Sequence, residues 1–265
     1  MASSSLNTAR VAALYRHPVK GFTPEPLETV GLEVDGWFPG DRMWAVENGP
    51  TGYDPDAPEH LPKTRFTVLM RQAEVAKVRT RWDEATNILS VSAADDPGFA
   101  VRMDDAADRA RFADWLAVRL GDEAKGPLKL IDAGPRHRFM DSMRGKVSVL
   151  NLASVRDLEQ RLGRPVDPLR FRANVWVEGW APWVENQWGG GADGGVILTL
   201  GDVTLRGDKP ITRCAATEVD PATGERDLPV VKSLFDLYGH VLTGLYCSIE
   251  TGGRISRGDL ITSSA

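Results

Sequence analysis

The stretch VILTLGDVTLRGDKPITRCAATEVDPATGER, residues 196–226, decides how the chain is read. Val196 to Leu200 and Val203 to Leu205 are apolar-rich runs, and the two-residue Gly201-Asp202 turn between them predicts a β-hairpin. The second run leads into KPITRC, which sets Cys214 beside Arg213 with Lys209 a few residues upstream. Cationic neighbours favour the thiolate, the form that attacks or binds metal. A buried small residue is the competing reading of Cys214. The other cysteine, Cys247 in LYCSIE, falls at an inward strand position and reads as a buried inert thiol.

Toward the C-terminus, Tyr246 to Glu250 is extended and stops at Gly252-Gly253, and Ile255 and Leu260-Ile261 predict short closing strands. Toward the N-terminus the pattern changes. Residues 1–9 are small and polar and read as frayed, and Leu14 begins an extended stretch that stops at His17-Pro18. Residues 21–65 hold many Gly and Pro, with the most loop-like stretch at 49–63, which predicts short strands and long loops. TVLMRQAEVAKV (67–78) and NILSVSA (87–93) read as strands, the first with a competing helical pattern.

Helices are few. Phe112, Leu116 and Leu120 recur on one face, between Asp104-Asp105 at the start and Gly121 at the end. Leu152, Val155, Leu158 and Leu162 mark a second, with Asn151 or Ser154 as cap and Gly163 as stop. A third is expected near 230–238. Many short strands with so few helices point to a β-rich α+β fold and against a doubly wound sheet. The acidic DDAAD at 104–108 suggests a boundary, giving domains 9–103 and 104–265.

Composition excludes several classes. The chain has 265 residues, 42 % hydrophobic and 26 % charged, which fits a globular protein and not a disordered one. A net charge of −5 argues against nucleic acid as a partner. Two cysteines make no disulfide framework, so a reduced, cytoplasmic setting is expected. No apolar run approaches the roughly 18 residues of a membrane span, and the N-terminus MASSSLNTAR does not read as an export signal.

Gly189, Gly191 and Gly194 match G-x-G-x-x-G, but a strand and not a helix follows them, so a loop is the better reading than a dinucleotide site. His17, His60, His137 and His240 are scattered singly, without zinc-type spacing. Trp176, Trp180, Trp183 and Trp188 crowd one segment and read as core packing, or as an aromatic wall beside a ligand. Lys20, Arg42 and Arg172 stand in apolar surroundings, with Asn174 close to the last. A cation buried there meets either an internal acid or an anionic ligand.

Six segments in order resemble the MOSC-domain family, named for the C-terminal domain of molybdenum-cofactor sulfurase. They are VAALYRHPVKG (11–21), GLEVDGWFPGDRMWAV (31–46), FRANVWVEG (171–179), APWVENQW (181–188), the stretch from Leu200 to Arg226, and GGRISRGD (252–259). The branch resembled places a β-rich domain before the barrel and includes amidoxime-reducing components and bacterial reductases of N-hydroxylated compounds. The resemblance implies an N-terminal β-rich domain packed on a C-terminal MOSC β-barrel, with a few peripheral helices and the pocket between the two.

It further implies a molybdenum–molybdopterin cofactor, and no pyridoxal phosphate. Cys214 would be the metal ligand and catalytic residue. Lys20, Gly21, Arg42, Arg172, Asn174, Thr212 and Arg213 would bind the cofactor. The activity implied is reduction of N–O bonds in small N-hydroxylated substrates, with electrons from a separate reductase. Departures are Gly21 for the family's serine, Ile211 for the first cysteine of C-x-R-C, Asn186 for the usual aspartate, and MRGKVS (143–148) in place of a polar Asp-Thr-Ser pattern. The rival readings are a persulfide carrier acting through Cys214, and a molybdenum-free lyase or binding protein on the same fold.

Overall fold

Strand β1 (Asn7–Arg16) opens the fold and takes part in three pairings, so the rest is best followed from it. The structure, a computed structural model, describes residues 7–143, 145–190 and 194–264. After β1 come β2 (Glu25–Leu27), β3 (Thr29–Leu32), β4 (Trp44–Asn48), β5 (Arg79–Asp83), β6 (Ile88–Ala93) and β7 (Asp96–Arg102). Helix α1 (Ala106–Leu120), β8 (Leu128–Asp132), β9 (Val147–Asn151), α2 (Leu152–Leu162) and β10 (Val175–Glu178) follow. The chain ends with β11 (Ile197–Leu200), β12 (Val203–Thr212), α3 (Val230–Tyr238), β13 (Leu242–Thr251), β14 (Gly253–Ser256) and β15 (Leu260–Ser263).

Strands β10, β9, β13, β12, β11, β15 and β1 are neighbours in that order, and β1 pairs back onto β10, which closes a barrel. β9 and β10 run parallel, and α2 between them is the crossover that a parallel pair requires. Alternation fills the interior with Val11, Val147, Val149, Val175, Leu198, Leu205, Leu245, Cys247 and Ile261, all buried. Cys247 is indeed a core thiol, and burial pushes its titration far up.

A second apolar cluster joins Val19, Phe22, Trp44, Val46, Val75, Leu89, Val101, Phe112, Leu116 and Leu130. It is built from the β5–β6–β7 meander, the β4–β8 pair and α1. Asp105 caps α1, its side chain accepting from the N–H groups of Ala107 and Asp108. The β-rich architecture with three helices is the one the sequence predicts, and each helix lies within a residue or two of its expected span.

Three local expectations fail. The segment 67–78 is no strand: a short 3-10 helix occupies Ala73–Lys77. Gln72 explains this, because its side chain accepts the Val68 N–H at 3.0 Å and its own N–H donates to Val68 O at 2.9 Å. That local turn removes backbone groups from any ladder. β1 begins at Asn7, not Leu14, because pairing with β15 orders residues that look polar and frayed. Residues 1–6 lie outside the described residues. Ile255 sits in β14, which pairs with β3 and stands apart from the barrel ring.

Phe112 is fully buried and Val118, on the same helix, is 85 % exposed. Phe112→Ala is expected to lower the unfolding free energy by about 3–5 kcal/mol, and Val118→Ala to change it by less than about 0.5 kcal/mol. Chemical denaturation of both variants checks the pair, and equal losses would contradict the placement of the helix.

Candidate functional site

The outer face of the barrel, not its interior, carries the site. Ser148 in β9 pairs with Tyr246 in β13, which pairs with Lys209 in β12. Their inward neighbours Val147, Leu245 and Cys247 fill the core, so strand alternation turns these three side chains outward. Against this face lies a cavity of about 330 Å³. That is within the usual size of a small-molecule site, ~300–1,000 Å³. Its other walls come from the turn after β1 (Lys20, Gly21), from Arg42, from residues 63–70 and from Met140, Asp141 and Ser142. The barrel adds Arg170 to Arg172 and the segment from Ile211 to Cys214.

Of the residues singled out in the sequence, Lys20, Gly21, Arg42, Arg172, Thr212, Arg213 and Cys214 all line this cavity. Cys214 lies two residues past the end of β12, after Arg213, and immediately precedes the 3-10 helix Ala215–Glu218. Its carbonyl is held by the N–H and hydroxyl of Thr217, while the half-buried thiol receives the Lys63 ammonium at 3.2 Å.

Asn174 is different. It is fully buried behind the wall, and its side-chain oxygen accepts from the backbone N–H and the hydroxyl of Ser148. Its amide N–H donates to Tyr15 O. Asn174 therefore places Ser148, and Ser148 is the residue that reaches the cavity.

Two arginines adopt a backbone conformation that side chains rarely take. Arg42 has φ 50° and Arg172 φ 51°. Such positions each cost of order 1–3 kcal/mol and persist where surrounding structure imposes them. Around Arg42 the imposition is visible. The buried Asp41 carboxylate accepts the His17 backbone N–H at 2.7 Å, faces His17 Nδ1 at 3.0 Å and pairs with the Arg42 guanidinium. The other end of that guanidinium donates to Arg172 O at 3.0 Å. Burial alone pushes the Asp41 carboxyl up, but Arg42 and His17 outweigh it and hold it below the ordinary range.

The cavity is strongly cationic although the chain is net acidic. Lys20 donates to Phe139 O at 2.8 Å and pairs with Asp141. Burial pushes the Lys20 ammonium down. Lys63 feels the same burial, but Asp141 and Cys214 outweigh it and raise it. Arg170 is tied to Asp220 at 3.1 Å and Asp227 at 2.7 Å. Arg213 donates to the carbonyls of Phe171 and Thr243, bracing those two segments against the residue that precedes Cys214.

Among the described residues Arg172 has no carboxylate within ion-pair distance, and its buried Nη2 lacks a partner. Burial, reinforced by Arg42, lowers the Arg172 guanidinium to about 9. A buried guanidinium donor left over in a cavity wall is one that an anionic ligand would satisfy.

Several features of the site escape a reading of the sequence. Lys63 ends the loop-like 49–63 stretch, and Asp141 and Ser142 lie just before the loop compared with the family pattern. No local signal marks them, because they reach the cavity only through folding. Gly21 stands at φ +89°, and a Cβ there would lie 3.1 Å from Thr67 O, so this backbone takes glycine. The tryptophans are packing, not a ligand wall. Trp180 and Trp188 meet edge-on at 4.7 Å in the barrel core, Trp176 packs on Tyr15 at 4.6 Å and Trp183 on Tyr238 at 4.3 Å. Gly189 serves close approach, since a Cβ would meet Lys209 Cα at 2.7 Å. Gly191 lies outside the described residues. Glu185 receives Asn151 and Ser154 and ties α2 to the segment after β10.

His17 gives a pH prediction. Burial, reinforced by Arg42, lowers its imidazole to about 3. Its unfolded value is ~6.5, so unfolding takes up a proton between the two and stability falls as pH drops through that window. His17 is expected to remove roughly 2 kcal/mol of unfolding free energy between pH 7.5 and pH 5. Denaturant titrations of wild type and His17→Gln at several pH values check this, and equal slopes in the two proteins would rule it out.

Comparison with known proteins identifies the two domains of the chain. The MOSC domain matches residues 136–262, and the MOSC N-terminal beta barrel domain matches residues 8–125. Mitochondrial amidoxime-reducing component 1 of Mus musculus is 37 % identical over 123 residues, 42 % of this chain and 34 % of that protein. The Homo sapiens protein of the same name is 31 % identical over 137 residues, 47 % and 39 % of the two chains. The chain thus spans little more than a third of the length of these relatives.

Among solved structures, the YUAD protein from Bacillus subtilis covers 98 % of this chain and 97 % of its own, at 13 % identity and a TM-score of 0.47. YiiM from Geobacillus stearothermophilus covers 45 % and 54 %, at 18 % identity and a TM-score of 0.34. With both family domains matched in order along the barrel and the segments before it, the chain belongs to the MOSC-domain family.

Proposed function

We propose that this protein is a molybdenum-cofactor-dependent reductase of N-hydroxylated compounds. The observation that carries the reading is a half-buried thiol, Cys214, in a cavity whose buried Arg172 donor has no protein partner. A soft thiolate suits a redox metal, and unpaired guanidinium donors suit a phosphate. Among the described residues no cluster of three His, Cys, Asp or Glu could hold a metal ion. Cys214 would then be one ligand, with the remaining coordination coming from the pterin.

Lys20, Arg42 and Arg172 would hold the cofactor phosphate, with Gly21, Ser148 and Thr212 in contact around it. Arg213 would keep the Phe171 and Thr243 segments in place, and the His17–Asp41 pair would hold Arg42. Bound cofactor supplies the two-electron chemistry. In the overall reaction an N–OH group takes two electrons and two protons, the N–O bond breaks, and an N–H compound and water leave. Electrons would come from a separate reductase. No helix among the described residues is long and apolar enough to cross a membrane.

The test is molybdenum and released pterin per chain, in protein from a host that makes the cofactor. Near-stoichiometric metal is expected in wild type, with loss in Cys214→Ala. Arg172→Gln should weaken retention by roughly 10–100-fold, as expected for one charge-assisted hydrogen bond of ~1.5–3 kcal/mol. Metal-free wild type from cells with confirmed cofactor synthesis would overturn the reading. A persulfide on Cys214 in that protein would favour the carrier.

A further inference from the structure

The charges of the cavity are not used evenly. Its deep cations are the ones the cofactor would meet, and they are partly balanced: Lys20 pairs with Asp141, and Arg42 with Asp41. Lys63 lies beside the thiol, 3.2 Å from Cys214 Sγ and 3.4 Å from Asp141. Lys209 lies apart. It lines the cavity from β12, is exposed, and has the Tyr246 ring 5.9 Å from its ammonium. No acid pairs with it among the described residues.

Glycines let a neighbouring segment pack closely on the backbone that carries this lysine. Gly189 packs against the Lys209 backbone and Gly207 against Trp188 O, so the Trp188–Gly190 segment locks the strand at its bulge. The cavity that Lys209 and the thiol share has a mixed wall. Ile211, Ala216, Leu69 and Met70 offer apolar surface to the body of a ligand.

We propose that the preferred substrate is an N-hydroxylated compound with an apolar body and a carboxylate tail, the tail docking on Lys209. This rests on the N–O reductase reading of the same cavity. Lys209 and Cys214 are five residues apart, so at ~3.3 Å per residue their backbones are at most ~17 Å apart. A substrate that places its N–O group at Cys214 and its carboxylate on Lys209 must therefore fit within that span plus the reach of the lysine side chain. A cationic tail would meet Lys209 and Lys63 and be disfavoured, since like charges at close range repel.

The experiment uses molybdenum-loaded protein with reduced methyl viologen as electron donor. Three aryl amidoximes of one size are compared, one neutral, one with a carboxylate and one with an ammonium group. Each turnover converts amidoxime, two electrons and two protons into amidine and water. Binding of the three compounds is measured in parallel by equilibrium dialysis without reductant.

The expected order of kcat/KM and of affinity is carboxylate over neutral over ammonium. The carboxylate-to-neutral ratio should be about tenfold at low salt, shrinking as ionic strength rises. In Lys209→Gln the ratio should fall toward one. A neutral compound used as well as the acid, or a ratio that Lys209→Gln leaves intact, overturns the inference. Preferential binding of the acid without turnover of any compound supports the acid site and overturns the reductase reading. Neither turnover nor preference overturns both.

Discussion

Closure of the barrel through β1 is the constraint on which the rest depends. One ten-residue strand pairs with β15 through its first half, with β10 through its middle and with β2 at its end. It bends to do so, with a register shift between Val11 and Ala13. The strand leaves the barrel at Arg16, which delivers His17 and Lys20 to the outer face beside β9. Tyr15 N–H donates to Asn174 O and Asn174 donates back to Tyr15 O, so the same closure fixes the residue that places Ser148.

A second constraint is electrostatic. Lys20, Arg42, Arg172 and Arg213 are buried or nearly so, and burial disfavours charge. Asp41 and Asp141 answer part of this, each held ionised by the cations around it. Arg213 is satisfied by carbonyls, which hydrogen-bond it without neutralising its charge. The fold thus holds unpaired positive charge at one place in an acidic protein. An anionic ligand relieves that strain, and ligand binding then stabilises the native state by mass action.

Support for this arrangement is spread through the chain. The cavity wall residue Leu69 belongs to the second apolar cluster together with Phe112 and Leu116 of α1, while Val68 and Met70 belong to a separate cluster with Phe66, Ile131 and Phe139. The chain passes between barrel and second cluster more than once, because β1 lies in the first and α1 and β8 build the second. A substitution far from the cavity, in α1 for example, can therefore disturb the site through the position of Leu69.

The sequence by itself determined the class of fold, the three helices and the hairpin at Gly201-Asp202. These follow from periodicity, caps and turn chemistry, which are local. It also marked Cys214, Arg42 and Arg172, because a thiol beside an arginine and lone cations in apolar stretches are unusual wherever they fold. Tertiary structure alone decided the rest. It put Lys63 on the thiol, Asp141 between two lysines and Asn174 behind the wall. It turned Ser148, Tyr246 and Lys209 to one face through strand register, and it buried the tryptophans in packing. Those outcomes depend on which distant backbone lies alongside, and no local pattern of residues encodes that.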